Sequence, residues 1–503
     1  MIYMGAKKRL ALVLAVLLLA LSVVASCGGD DGGGAKEQET ATSEDADENV
    51  GAEARVMPDL PEADFGGRVF EVLGRFHPVH TQFTNFEIDA EALTGDLVDD
   101  AVYTRNRDLE QKYNVKIAQF LHEEPANLLE KLIRAQDDAY SLAFIRAFQA
   151  AAMATRGSFY DLKRLKYLDF EKPWWNQNLN SSLTIGGRLF FTTSDFNMVD
   201  KNRTYMIIFN RSMADSHGFG NLYDLVYDHK WTLDKMSEFS RAVARDLDGD
   251  GAMTPADQWG VGLDDYATFY IFWSTSDNLI ITKDSGDYPV LSVNNEHAVN
   301  TIDKIFTLTN NKSAAFYSVE FEGKVNYDVA YAARNTFIDG RLLFYTGFTH
   351  ELKAITQSEI TASFGVLPFP KYDEKQKNYI SMPNSINGPL FAVPVTVQDT
   401  DFSAFMLEAL SAASKYEVMP KYYEISVQSK YTDDEDSIKV LDLIFSSIRY
   451  DLGDMYDWNG VRTMLMYDIP PTGENSFVSR FERKEGGVLA AMEKTVEAFR
   501  ELP

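Results

Sequence analysis

The chain has 503 residues, with 48 Lys and Arg against 75 Asp and Glu, and a formal net charge of −27. So large an acidic excess without a basic stripe excludes a nucleic-acid binder, and the length allows two or more sizeable domains. A single cysteine rules out an intramolecular disulfide, so the fold must rest on its apolar core.

Lys7, Lys8 and Arg9 precede an apolar run from Leu10 to Ala25 that only Ser22 interrupts. A run of about 16 residues is short for a membrane span and suits the core of a signal peptide. It ends in Val24-Ala25-Ser26-Cys27, which resembles a bacterial lipobox. That resemblance implies removal of residues 1–26 as a lipoprotein signal peptide and lipidation of Cys27. Residues 28–56 carry nine acids, two bases and no aromatic side chain. Such a stretch cannot bury enough apolar surface to offset its ordering entropy, so 27–57 is expected to be a disordered acidic tether. No later run approaches the roughly 18 apolar residues of a transmembrane helix, so membrane contact is expected through the lipid alone.

The folded body opens near Pro58. "GGRVFEVLG" (66–74) predicts a strand, and Val98, Ala101, Val102, Leu109 and Tyr113 predict a helix over 94–114, capped by Thr94 or Asp96. "VKIAQF" (115–120) predicts a second strand, completing a βαβ unit and hence a parallel sheet. Further strands are expected at 141–148, 188–194 and 203–210, while 341–347 and 362–370 are short apolar runs ending at Gly or Pro. "WTLDKMSEFSRAVARD" (231–246) is an amphipathic helix capped by Thr232. The C-terminal third reads as helical, with apolar stripes through Phe402–Ala413, Ile438–Ile448 and Val488–Phe499.

After the 231–246 helix comes "DLDGDGAMTPADQWG" (246–260). Asp246, Asp248 and Asp250 take positions 1, 3 and 5 of a calcium loop. Gly251 takes the sharp turn at 6, the Ala252 carbonyl position 7, and Asp257 position 12. Ca²⁺ is expected here as a structural brace, because weak extracellular calcium sites stay occupied.

Residues at strand ends are the candidates for ligand contact: Arg75 and Phe76 after the first strand, Arg146 and Phe148 after a later one, Asp195 and Arg203, and Phe348. Trp273 and Trp458 are added as stacking surfaces for a sugar, with Trp174 and Trp175 behind them. No G-x-S-x-G, H-E-x-x-H or P-loop occurs, and the seven histidines show no zinc spacing.

The body resembles the extracellular solute-binding proteins of bacterial ABC transporters, the family 1 carbohydrate branch in particular. The stretches that carry the resemblance are "LTGDLVDDAVYTRNRDLEQKYNVKI", "KPWWNQNL", "YMIIFNRSMADSHGFGNLYDLVYDHKWTLDKM", the 246–260 loop and "FGVLPFPKYDEKQKNY". It implies an α/β, two-lobed periplasmic-binding-protein-like (type II) fold with an interlobe cleft and a helical C-terminal region. Residues 58–200 with 390–430 would form one lobe, and 201–389 with 431–503 the other. The implied function is a monomeric, lipid-anchored receptor on the outer face of the cell membrane. It would bind a small-molecule solute, a sugar by family, and pass it to an ABC permease without chemistry. An extracellular glycoside hydrolase and a surface adhesin lipoprotein are the alternatives.

Overall fold

A computed structural model describes residues 55–360, 362–386, 388–427 and 435–502. The leader, Cys27 and the tether up to residue 54 lie outside them, as does the expected lobe boundary at residues 430–431. Among the described residues no helix is long and apolar enough to cross a membrane.

Two sheets organise the chain. The first contains β1 (Arg68–Arg75), β2 (Val115–His122), β3 (Leu142–Arg146) and β11 (Pro389–Ala392), in the order β11-β3-β1-β2. β1 runs parallel to both β2 and β3, with Arg75 opposite His122. The helix Leu97–Tyr113 makes the crossover, and Asp96 caps it by accepting from the Val98 and Asp99 N–H groups. This is the βαβ unit that the spacing predicts. β11 returns antiparallel to β3 from far along the chain.

The second sheet has the order β10-β4-β9-β5-β8, built from β4 (Tyr205–Asn210), β5 (Trp259–Leu263), β8 (Ala315–Tyr317), β9 (Leu342–Phe348) and β10 (Phe364–Leu367). β5 is parallel to β8 and β9, while β4 is antiparallel to both of its neighbours. The short hairpin β6 (Ile281–Lys283) with β7 (Pro289–Leu291) stands apart. Every residue of β4, β5, β8 and β10 is buried, as expected for strands covered on both faces.

Two segments link the sheets side by side. Residues 199–204 lead into β4, and 383–388 lead into β11. Thr204 bridges to Pro383, and the Asn384 N–H donates to the Arg203 carbonyl at 2.8 Å. The sheets also share packing, since Ala143 and Ile145 from β3 belong to the same buried cluster as Ile207, Val261 and Phe344. The helix Ala147–Ala154 after β3 packs on Leu452–Tyr456. The last helix, Phe477–Glu501, sets Phe499 edge-on to Phe190 at 5.1 Å.

Some expectations need correction. The 188–194 run pairs only at isolated points, Arg188 with Ile185, Thr192 with Phe391 and Ser194 with Trp175, so no strand forms. The Phe402–Ala413 stripe is buried throughout, but Ile438 and Leu489 are exposed. The rest of each stripe does face the core, through Leu441 and Ile444, joined by Val440, in one helix and Val488, Met492 and Phe499 in the other.

Candidate interlobe site

The parallel strands of both sheets end toward the crossing segments, and this gathers side chains from distant parts of the chain. β1 ends in Arg75, whose N–H donates to Asn85 Oδ1 at 2.9 Å, folding the following turn back on the strand. The His77 ring tightens that turn by accepting from the His80 N–H at 2.9 Å. The turn delivers Phe83, buried, to the seam between the lobes. On the other side β9 ends in Phe348, whose ring lies 4.2 Å from that of Tyr205.

Arg203, on the crossing segment, fits between them. Its guanidinium is 4.0 Å from the Phe83 ring centroid and 4.1 Å from that of Phe348. Arg75 approaches Phe83 at 5.3 Å. Burial pulls both guanidinium groups down to about 10, and for Arg75 the nearby Arg146 adds to the effect, so both remain charged at neutral pH. Arg146 itself pairs with Glu124 at 2.8 Å, donates to Gln149 at 2.9 Å and lies 5.3 Å over the Phe148 ring.

The second sheet contributes acids. Glu351, just past β9, is held by Arg334 at 3.3 Å and His350 at 3.1 Å. Asp264 and Asp265 follow β5, and burial raises both above the usual carboxylate range, Asp264 far above it. Beside this cluster a cavity of about 530 Å³ opens between the lobes. Gln82, Phe86 and Asp99 line it from the first lobe, Asn202 from the crossing segment, and Thr349 and Gln357 from the second. Asp96 and Lys353 pair across it at 3.3 Å. Planar amides and carboxylates beside an aromatic ring are groups that can meet hydroxyls and a C–H face together.

The structure thus brings Arg75, Arg203 and Phe348 together, with Arg146 and Phe148 beside them. Phe76 is exposed outside this group. Asp195 is held by Lys201 of the crossing segment at 3.1 Å and by Lys415 at 3.8 Å, so its carboxylate is already paired. Trp273 and Trp458 are corrected from cleft to core. Trp273 is fully buried and donates to the Ala298 carbonyl, while Trp458 stacks on Tyr456 at 4.8 Å and donates to Thr495. Trp174 and Trp175 are buried too. Phe83, Asn202, Tyr205 and the Asp96–Lys353 pair carried no sequence signal, because their meeting depends on the crossing of two lobes.

The 246–260 loop joins the helix Leu233–Val243 to β5, at the end of that strand far from the cleft. Oxygens of Asp246, Asp248 and Asp250 lie within 4.8 Å of one another. Asp246 accepts from the Gly249 and Gly251 N–H groups, which lowers its pKa and keeps it ionised. Asp257 is buried and faces its own loop, one oxygen accepting from Leu247 N–H and the other from the Thr254 N–H and hydroxyl. Three converging carboxylates suit a hard divalent cation. The fourth, as placed here, ties the loop ends together.

No family model and no curated protein matches the chain. Solved structures do. A sugar transporter protein from Rhizobium etli in an open conformation superposes with a TM-score of 0.54 at 12% identity, covering 86% of this chain and 100% of that one. A cyclo/maltodextrin-binding protein complexed with maltotetraose gives 0.51 at 13% identity, over 89% and 98%. The apo form of RafE from Streptococcus pneumoniae gives 0.50 at 13%, over 86% and 98%. The class that fold and topology define is therefore a two-lobed α/β architecture similar to that of these structures. At such identities the likeness is one of fold.

Proposed function

We propose that this protein is an extracellular receptor that binds a carbohydrate between its lobes and delivers it to an ABC permease. The observation that carries this reading is the interlobe cavity, walled by both lobes and floored by the segment that joins them. A solute there touches both halves, so its binding energy can draw them together, as hinge closure requires. Proteins of this fold that hold maltotetraose or are named for sugar transport support the carbohydrate class. Membrane attachment through Cys27 and a calcium brace at Asp246, Asp248 and Asp250, with Ala252 and Asp257 completing the loop, belong to the same proposal. Calorimetry against a panel of oligosaccharides tests it. The expected result is one-to-one binding, with the sugar recovered unchanged after long incubation. Steady cleavage favours a glycoside hydrolase, and no binding at all favours an adhesin. For the anchor, Cys27→Ser is expected to leave secretion intact and release the protein from membranes; continued membrane retention contradicts it.

A further inference from the structure

Arg203 is 3% exposed, and its Nε has no hydrogen-bond partner. Among the described residues no carboxylate lies within ion-pair distance of its guanidinium. Neither acid that acts on it serves as its partner: Glu351 serves Arg334 and His350, and Asp264, which hydrogen-bonds Tyr345, is held by burial far above the usual carboxylate range. A second guanidinium, from Arg75, lies on the same Phe83 ring. Two aromatic faces recover part of the cost of burying such a charge, and the remainder calls for an anion. Arg203 stands on the crossing segment, where it belongs to neither moving half. Phe83 comes from one lobe and Phe348 from the other, so parting the lobes separates the two rings and uncovers the guanidinium.

We propose that the solute carries a carboxylate, as an oligosaccharide containing uronic acid does, and that Arg203, assisted by Arg75, receives that group in the opened cleft. This rests on the receptor reading above and narrows it. A guanidinium offers a planar fork of N–H donors that matches a carboxylate in two parallel bonds. A neutral sugar can accept those hydrogen bonds but leaves the charge unbalanced.

The test uses the full-length chain in detergent and calorimetry with trisaccharides of galacturonate, glucuronate and mannuronate. Their neutral hexose counterparts, hexose phosphates and acetate complete the panel. At least one uronate trisaccharide is expected to bind 10-fold or more tighter than its neutral counterpart, with affinity falling as salt rises. Arg203→Met should remove this preference, a loss of about 10- to 100-fold, and Arg203→Lys should keep part of it. With no bound anion, Arg203→Met should melt no lower than the parent, since it removes an uncompensated buried charge. Neutral sugars binding as tightly as uronates, or an Arg203→Met protein that keeps the preference, overturn the charge assignment and leave the receptor reading standing. Hexose phosphates preferred over every uronate overturn the carboxylate. Failure of every carbohydrate to bind sinks both readings. Should Arg203→Met not fold, Arg75→Met and the salt dependence of the parent decide: a salt-independent affinity rejects the proposal.

Discussion

Glu408 sits fully buried on the helix Thr400–Glu417 and accepts from the Trp175 indole N–H at 3.0 Å. Burial pushes its carboxyl from 4.5 up to about 7. The folded state therefore holds this proton more tightly than the unfolded chain does. Its contribution to stability is complete below the unfolded value near 4.5 and is lost as pH rises through about 7. Up to about 3 kcal/mol depends on this one group. Urea titrations between pH 5 and pH 8 should show the parent losing stability relative to Glu408→Gln, whose side chain has no proton to lose; parallel profiles contradict this. The same residue shows what sequence could not foretell. An indole suits a core as well as a sugar face, so composition alone cannot place a tryptophan. Trp175, Trp231 and Trp273 donate to a carboxylate or carbonyl inside the protein, which satisfies each N–H without a ligand. Arg75 and Arg203 were legible because strand ends are a place in the sequence as well as in space. Phe83 was not, since only the fold-back of its turn brings it to them.

At the scale of elements, β5 runs so close to the helix Leu233–Val243 that a Cβ at Gly260 falls on the backbone of Ser240. Backbone cannot swing aside as a side chain does, so Gly260→Ala should destabilise by about 1–3 kcal/mol in urea unfolding, even though alanine is the smallest possible addition. A variant as stable as the parent means the two elements are not in such contact. The loop between them carries the calcium expectation. Chelation with EDTA should lower the melting temperature of the parent and leave Asp248→Ala/Asp250→Ala unchanged, already at the lower value. Identical melting with and without EDTA in both proteins removes the brace. Elements with local logic, such as the βαβ unit and the Asp96 and Thr232 caps, could be read directly from spacing. β5, β8 and β11 were missed: they are three to five residues long, and a short apolar run does not declare itself strand or helix.

For the whole molecule, the Asp96–Lys353 pair links lobe to lobe across the cavity. Both groups reach solvent, so the pair is worth at most about 1 kcal/mol, yet it acts at the mouth of a moving cleft. Lys353→Glu sets two like charges opposite each other. X-ray scattering of the ligand-free protein should report a larger radius of gyration at low salt that returns toward the parent value as salt is added. Solute affinity should weaken roughly 2- to 5-fold, because closure must overcome the added repulsion. A radius unchanged at all salt concentrations shows that the pair has no part in setting the opening. The two-lobed plan was legible only through the resemblance that the quoted stretches carry. The packing shared between the lobes was not, since the helices Ala147–Ala154 and Leu452–Tyr456 meet across hundreds of residues of intervening chain.

The late return of β11 sets a timetable for synthesis. The first lobe holds Trp175 to Glu408 across 233 residues and Ser194 to Ser411 across 217, with the whole second sheet made in between. At roughly 5–20 residues per second, the early strands wait on the order of 10–50 s for the partners that finish them. Until then β3 has a bare edge where β11 belongs, able to pair with another chain. A nascent chain of this design depends on being kept apart from its copies until nearly all of it has been made.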